Sequence, residues 1–113
     1  MNNYNEESNI FERTPDVEVV FHFNGKRTRP CYNLFRPIHR VRDDYLTTGI
    51  HRYFGVESVP GDGTAHGTIT FITPEEYPHC LWVGKKIDIY DGYKLIGYAT
   101  VTRILNDLLS IEG

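Results

Sequence analysis

The chain predicts an all-β fold, a sandwich or barrel, and three observations carry that prediction. Short β-branched and aromatic runs recur along its 113 residues, separated by Gly and Pro. One of them, Gly67 to Thr73 (GTITFIT), alternates Thr against Ile and Phe, the period of a half-buried strand. Asp91-Gly92 stands between two further runs, where Gly supplies the positive φ of a tight hairpin turn. Apart from a weak trace in Ile104 to Ile111, no segment of helical length places apolar residues at three- and four-residue spacing.

The elements follow in order. Residues 1–15 are polar and Asn/Glu-rich, with Tyr4, Ile10 and Phe11 as the candidate anchors, and read as a flexible arm before a single domain over 16–113. Val17 to Phe23 (VEVVFHF) is a first strand, turning at Asn24-Gly25. Phe35 to Arg42 alternates bulky and charged residues as a strand with one wet face does, and Pro37 places it at a sheet edge or strand start. Asp43-Asp44 break the basic run, and Tyr45 to Val59 supplies more extended chain. Pro60-Gly61-Asp62-Gly63 is a loop. Thr73-Pro74-Glu75-Glu76 opens a short helical turn, since Pro is favoured at the first helical position, and Pro78 ends it. Ile87 and Ile89 lead into Asp91-Gly92, and Leu95 to Ile104 returns, with Gly97 expected where the strand coils or a neighbour packs closely.

Composition bounds the function. Hydrophobic content of 40% and charged content of 24% are those of an ordinary globular domain. There is no apolar run of the roughly 18 residues a membrane span needs, and the first residues lack the basic and apolar regions of a secretory signal, so a cytoplasmic location and no membrane partner are expected. Cys31 and Cys80 are too few for a disulfide framework and read as buried, reduced thiols. A net charge of -3 opposes nonspecific binding to nucleic acid.

Two blocks of residues form a family pattern. The first is Leu81, Gly84, Ile87, Ile89, Asp91-Gly92, Lys94, Ile96-Gly97, Val101 and Ile104-Leu105; the second is Gly25, Arg27, Pro30, Tyr32, Phe35, Arg36 and Pro37, continued by Thr48-Gly49 and Pro60-Gly61-Asp62. In order and spacing they resemble the third, C-terminal domain of translation elongation factor Tu. The resemblance implies a closed, antiparallel, six-stranded β-barrel standing alone. It also implies a binding role, because that domain contacts the T-stem side of aminoacyl-tRNA, the exchange factor and its own GTPase domain. The glycine-rich phosphate loop with its Lys is missing, so GTP binding and hydrolysis do not carry over. The family's hairpin tip, acid-Gly-Gly-Arg, approaches tRNA by its backbone; here it is Asp91, Gly92, Tyr93 and Lys94, and the Tyr93 ring obstructs that approach. Where the family has a glutamine at its interdomain surface, this chain has Ile38.

The remaining chemistry points to binding. Lys26, Arg27, Arg29, Arg36, His39, Arg40 and Arg42 form a basic run without an acid between them. It is either a phosphate-contacting face with Tyr32 and Phe35 or a set split between strand faces, with Arg36 a structural buried-edge residue and Asp43, Asp44 and Glu57 as counter-ions. The negative total charge favours the second reading. Five histidines and two cysteines lack the close pairs of a zinc site, so no metal or other cofactor is expected. Neither Cys80 with His79 nor Asp43-Asp44 with His51 makes a convincing catalytic set in a small filled barrel, and the chain reads as no enzyme. Tyr45, Tyr53, Phe54, Tyr77, Trp82, Tyr90, Tyr93 and Tyr98 exceed what alternating strands can turn inward, and Tyr, Trp and Arg make interface hot spots. The expected function is a protein-interaction module, an adaptor or immunity-type inhibitor, with Arg27, Arg29, Arg40, Tyr90, Tyr93 and Lys94 as partner-binding residues. The alternative is an RNA-binding module recognising a tRNA-like ligand through Lys26, Arg27, Arg29, Arg40 and Lys94.

Overall fold

The computed structural model describes residues 12–112, so most of the expected arm, residues 1–11, lies outside the described residues. The strands are β1 (Val17–Phe23), β2 (Cys31–Tyr32), β3 (Ile38–Arg42), β4 (Tyr45–Tyr53), β5 (Ser58–Val59), β6 (Thr64–Phe71), β7 (Lys86–Asp91) and β8 (Lys94–Ile104). Six of them close into an antiparallel barrel in the order β1-β6-β4-β3-β7-β8, with β8 returning to pair β1, while β2 and β5 form a separate two-stranded sheet. Closure matters because an open sheet would expose a row of unpaired backbone groups. No helix among the described residues is long and apolar enough to cross a membrane.

Alternation explains the filling of the barrel. In β1, Val17, Val19, Phe21 and Phe23 are buried while Glu18, Val20 and His22 are half-buried on the outer wall. Ile69 and Phe71 of β6, Ile87 and Ile89 of β7, and Ile96 and Val101 of β8 meet them inside. Each such side chain contributes about 1.5–3 kcal/mol on leaving water. Tyr77, Leu81 and Leu109 close the lower end, and both thiols, Cys31 and Cys80, are buried and free.

Several expectations need correction. The strand expected from Phe35 starts at Ile38: Pro37 has no N–H to give the ladder, and Phe35 N–H donates to the Tyr32 carbonyl in a turn (3.0 Å). The expected half-buried strand 67–73 is instead Thr64–Phe71, and its second half is buried on both faces, Thr68 and Thr70 included. His39 does not belong to a basic face, because it points inward with Val41 and is fully buried. Arg36 is exposed rather than held at a buried edge. The trace of helix at the tail is a three-residue 3-10 turn, Asp107–Leu109, capped by the Asn106 side chain accepting from Leu108 N–H (3.1 Å). Thr73 precedes the 3-10 turn Pro74–Glu76 but makes no side-chain cap.

Asp16 seals the lower end, where β1 begins and β6 and β8 finish. Its carboxylate accepts from Phe71 N–H (2.7 Å), Asn106 Nδ2 (2.9 Å) and Arg13 Nη2 (3.0 Å), and burial still pushes its pKa up. Arg13 also donates to the Phe71 carbonyl (2.7 Å), which fixes the chain just before β1.

Candidate interaction surface

At the upper end of the barrel β1, β4 and β7 finish and β3, β6 and β8 begin, so the excursions 24–37, 54–63 and 92–93 all gather there. Backbone bonds join the first two: Gly25 N–H donates to the Gly61 carbonyl (2.8 Å) and Asn33 N–H to that of Glu57 (3.0 Å). The Asn33 side chain adds two more, donating to the Val56 carbonyl (3.0 Å) and accepting from Tyr53 N–H (2.7 Å). The hairpin is joined by Asn24 Nδ2 donating to the Leu95 carbonyl (2.9 Å).

Arg27 is the central clamp. Its Nη1 meets the Asp91 carboxylate at 2.6 Å, its Nη2 reaches the Pro30 carbonyl (3.5 Å), and its guanidinium lies 4.5 Å from the centre of the Phe35 ring. With a side chain only 13% exposed, it faces inward and holds the loops rather than presenting charge to a partner.

The clamped loops leave apolar groups in water. Tyr32, Leu34, Phe54, Val56, Tyr93 and Leu95 are all exposed at this end; Tyr93, at the hairpin tip, is completely so. Leu34 also has φ of +74°, a left-handed conformation that a side chain with a Cβ adopts at a cost of about 1–2 kcal/mol. Its N–H bonds the His51 carbonyl (2.8 Å), which keeps it there. Lys26, Arg29 and Lys94 are exposed among these residues, and Lys94 Nζ reaches the Lys26 carbonyl (3.4 Å).

The structure therefore brings Arg27, Tyr93 and Lys94 together and sets Arg29 in the adjoining loop. Arg40 and Tyr90 stand apart on the outer wall of β3 and β7. There the Arg40 guanidinium lies 5.6 Å from the Tyr90 ring centre and donates to the Asp43 carbonyl (2.7 Å). Beside them Ile38, Leu46, Thr48 and Ile72 line a shallow groove of about 320 Å³. Tyr90 pairs with Leu95 across the β7–β8 ladder, which carries the wall up to the hairpin.

No protein-family model and no curated protein matches the chain.

The buried polar groups make a different arrangement. His39 Nε2 and His51 Nε2 lie 2.7 Å apart, and His51 Nδ1 is 3.0 Å from the Tyr53 hydroxyl. One proton joins the two Nε2 atoms and another joins His51 Nδ1 to the Tyr53 oxygen, while His39 Nδ1 has no hydrogen-bond partner. Burial lowers the His39 pKa to about 4 and that of His51 well below its ordinary value, with His39 adding repulsion. Both rings are neutral at pH 7 and sealed inside the barrel, out of a substrate's reach. Among the described residues no cluster of three or more His, Cys, Asp or Glu is placed to hold a metal ion.

Sequence reasoning named Tyr93, Lys94 and the cations, and counted Tyr32 and Phe54 among its candidate aromatics, but it did not single out Leu34 and Val56 or see that these residues share one end. Tyr32 and Phe54 are far apart in sequence, and the loops that carry them are joined where β2 pairs β5, two strands of two residues each. Asn33 was the available signal, since Asn favours side-chain bonds to backbone in loops.

Proposed function

We propose that this barrel is a non-catalytic binding module that docks a protein through its upper end. One observation carries the reading: Tyr32, Leu34, Phe54, Val56, Tyr93 and Leu95 are exposed together on loops held by hydrogen bonds and the Arg27–Asp91 pair. Large exposed apolar groups on a rigid support cost little ordering entropy on binding, and aromatic anchors dominate interface energetics. The strained backbone at Leu34 supports the same reading, because such strain concentrates where function requires it. The two sequence blocks support treating the barrel as similar to the C-terminal domain of elongation factor Tu, with binding kept and GTP chemistry lost.

Site-specific photocrosslinking tests this. A benzophenone amino acid in place of Tyr93 or Phe54, in cells that express the chain, is expected to give a discrete protein adduct that survives nuclease. The same group in place of Trp82 or Leu46 is expected to give none. Adducts only from Trp82 or Leu46, or adducts removed by nuclease, would contradict the proposal.

A further inference from the structure

The charge at this end differs in sign from that of the molecule. Lys26, Arg27, Arg29, Arg36 and Lys94 face Glu57, Asp62 and Asp91 there, while the whole chain carries -3. Among the described residues the remaining acids gather at the lower end, Glu12, Asp43, Asp44, Glu75, Glu76 and Asp107 among them, while the wall strands and the binding end are basic. Of the binding end's cations Arg27 is closed by Asp91, which leaves Lys26, Arg29, Arg36 and Lys94 exposed at the end that also exposes Tyr32, Phe54 and Tyr93.

Resting on the reading of this end as a protein-binding face, the geometry points to a partner surface of one chemical class: apolar side chains ringed by Asp and Glu. Opposite charge at the rim steers approach and excludes basic partners, while the aromatic and aliphatic groups supply the desolvated centre. The aliphatic members Leu34, Val56 and Leu95 favour protein over RNA, because a base offers a face for stacking on rings but little for branched alkyl groups.

The test is selection of a random dodecapeptide display library on the full chain, followed by fluorescence anisotropy of enriched peptides and of unfractionated transfer RNA. Enriched peptides are expected to combine aromatic or aliphatic residues with Asp or Glu. Lys26→Glu with Arg29→Glu is expected to weaken them by about tenfold or more, and added salt to weaken them as well. Phe54→Ala with Tyr93→Ala is expected to abolish binding; all four residues are exposed, and an unchanged Tm establishes that the variants fold. Neutral or basic peptides indifferent to the charge reversals but lost on aromatic truncation would overturn the acidic partner class and leave the docking surface standing. Peptides indifferent to aromatic truncation would overturn the docking surface itself. Failure to enrich any peptide above the quadruple variant, or micromolar and steeply salt-dependent transfer-RNA binding, would also overturn the inference.

Discussion

Leu34 holds backbone strain at the proposed docking end. Its left-handed φ costs about 1–2 kcal/mol in a residue with a Cβ, yet its side chain is largely in water and regains little of that by burial. Leu34→Gly removes the strain and keeps the N–H bond to His51, so thermal denaturation is expected to give a Tm equal to the parent's or a few degrees above it, while binding at the upper end weakens. A substantial fall in Tm would mean that the side chain supports the fold. The His39–His51 pair makes the opposite kind of residue-level commitment. A pKa of about 4 in the fold, against an ordinary value of 6.5, means that the unfolded chain takes up protons first as pH falls. The contribution of the neutral pair is complete above pH 6.5, declines below it, and levels off once pH passes the folded value. For His39 alone this amounts to about 3 kcal/mol. Asp16 acts the other way, since its raised pKa makes protonation favourable to the fold. Urea midpoints between pH 7 and pH 4 are therefore best compared with those of a His39→Leu, His51→Leu variant, which is expected to lose most of the decline; equal slopes would refute the assignment.

At the level of elements, the first strand, the Asp91-Gly92 hairpin and the returning strand were legible because they rest on local rules: alternation, β-branching and turn glycine. The limits of β6 and the inward turn of His39 were not legible, because they depend on which neighbours pair. His39 sits between Arg36 and Arg40 in a run that looks solvated, and only its position in β3 brings it against His51. Gly92 and Gly97 separate two reasons for glycine. Gly92 has φ of +66° and open space around a built Cβ, so a side chain there meets only backbone strain of about 1–2 kcal/mol. At Gly97 a Cβ would lie 2.2 Å from the His22 carbonyl oxygen, across the seam where β8 closes on β1. Gly97→Ala is expected to lower Tm more than Gly92→Ala, which should cost about 4–8 °C per kcal/mol of strain. The reverse order would mean that the β1–β8 seam is looser than described.

For the whole molecule, antiparallel closure delivers every long excursion between Asn24 and Gly63 to the same end. Sequence pattern reached the barrel and the hairpin tip, but not the joining of 32–34 with 54–56 that makes a surface out of separate loops. Arg27, chosen from sequence as a partner contact, is the clamp of that surface, and Lys26, Arg29 and Lys94 carry its outward charge. The proposed docking site is this end, and not the Ile38–Leu46–Ile72 groove or the exposed Trp82 and Val83 at the opposite end. Amide hydrogen exchange of the chain, alone and with the crosslinked partner added, measures this most directly. Slowed exchange confined to residues 24–37, 54–63 and 91–95 is the predicted result; slowing confined to residues 38–48 or 79–85, with the upper loops unchanged, would contradict it.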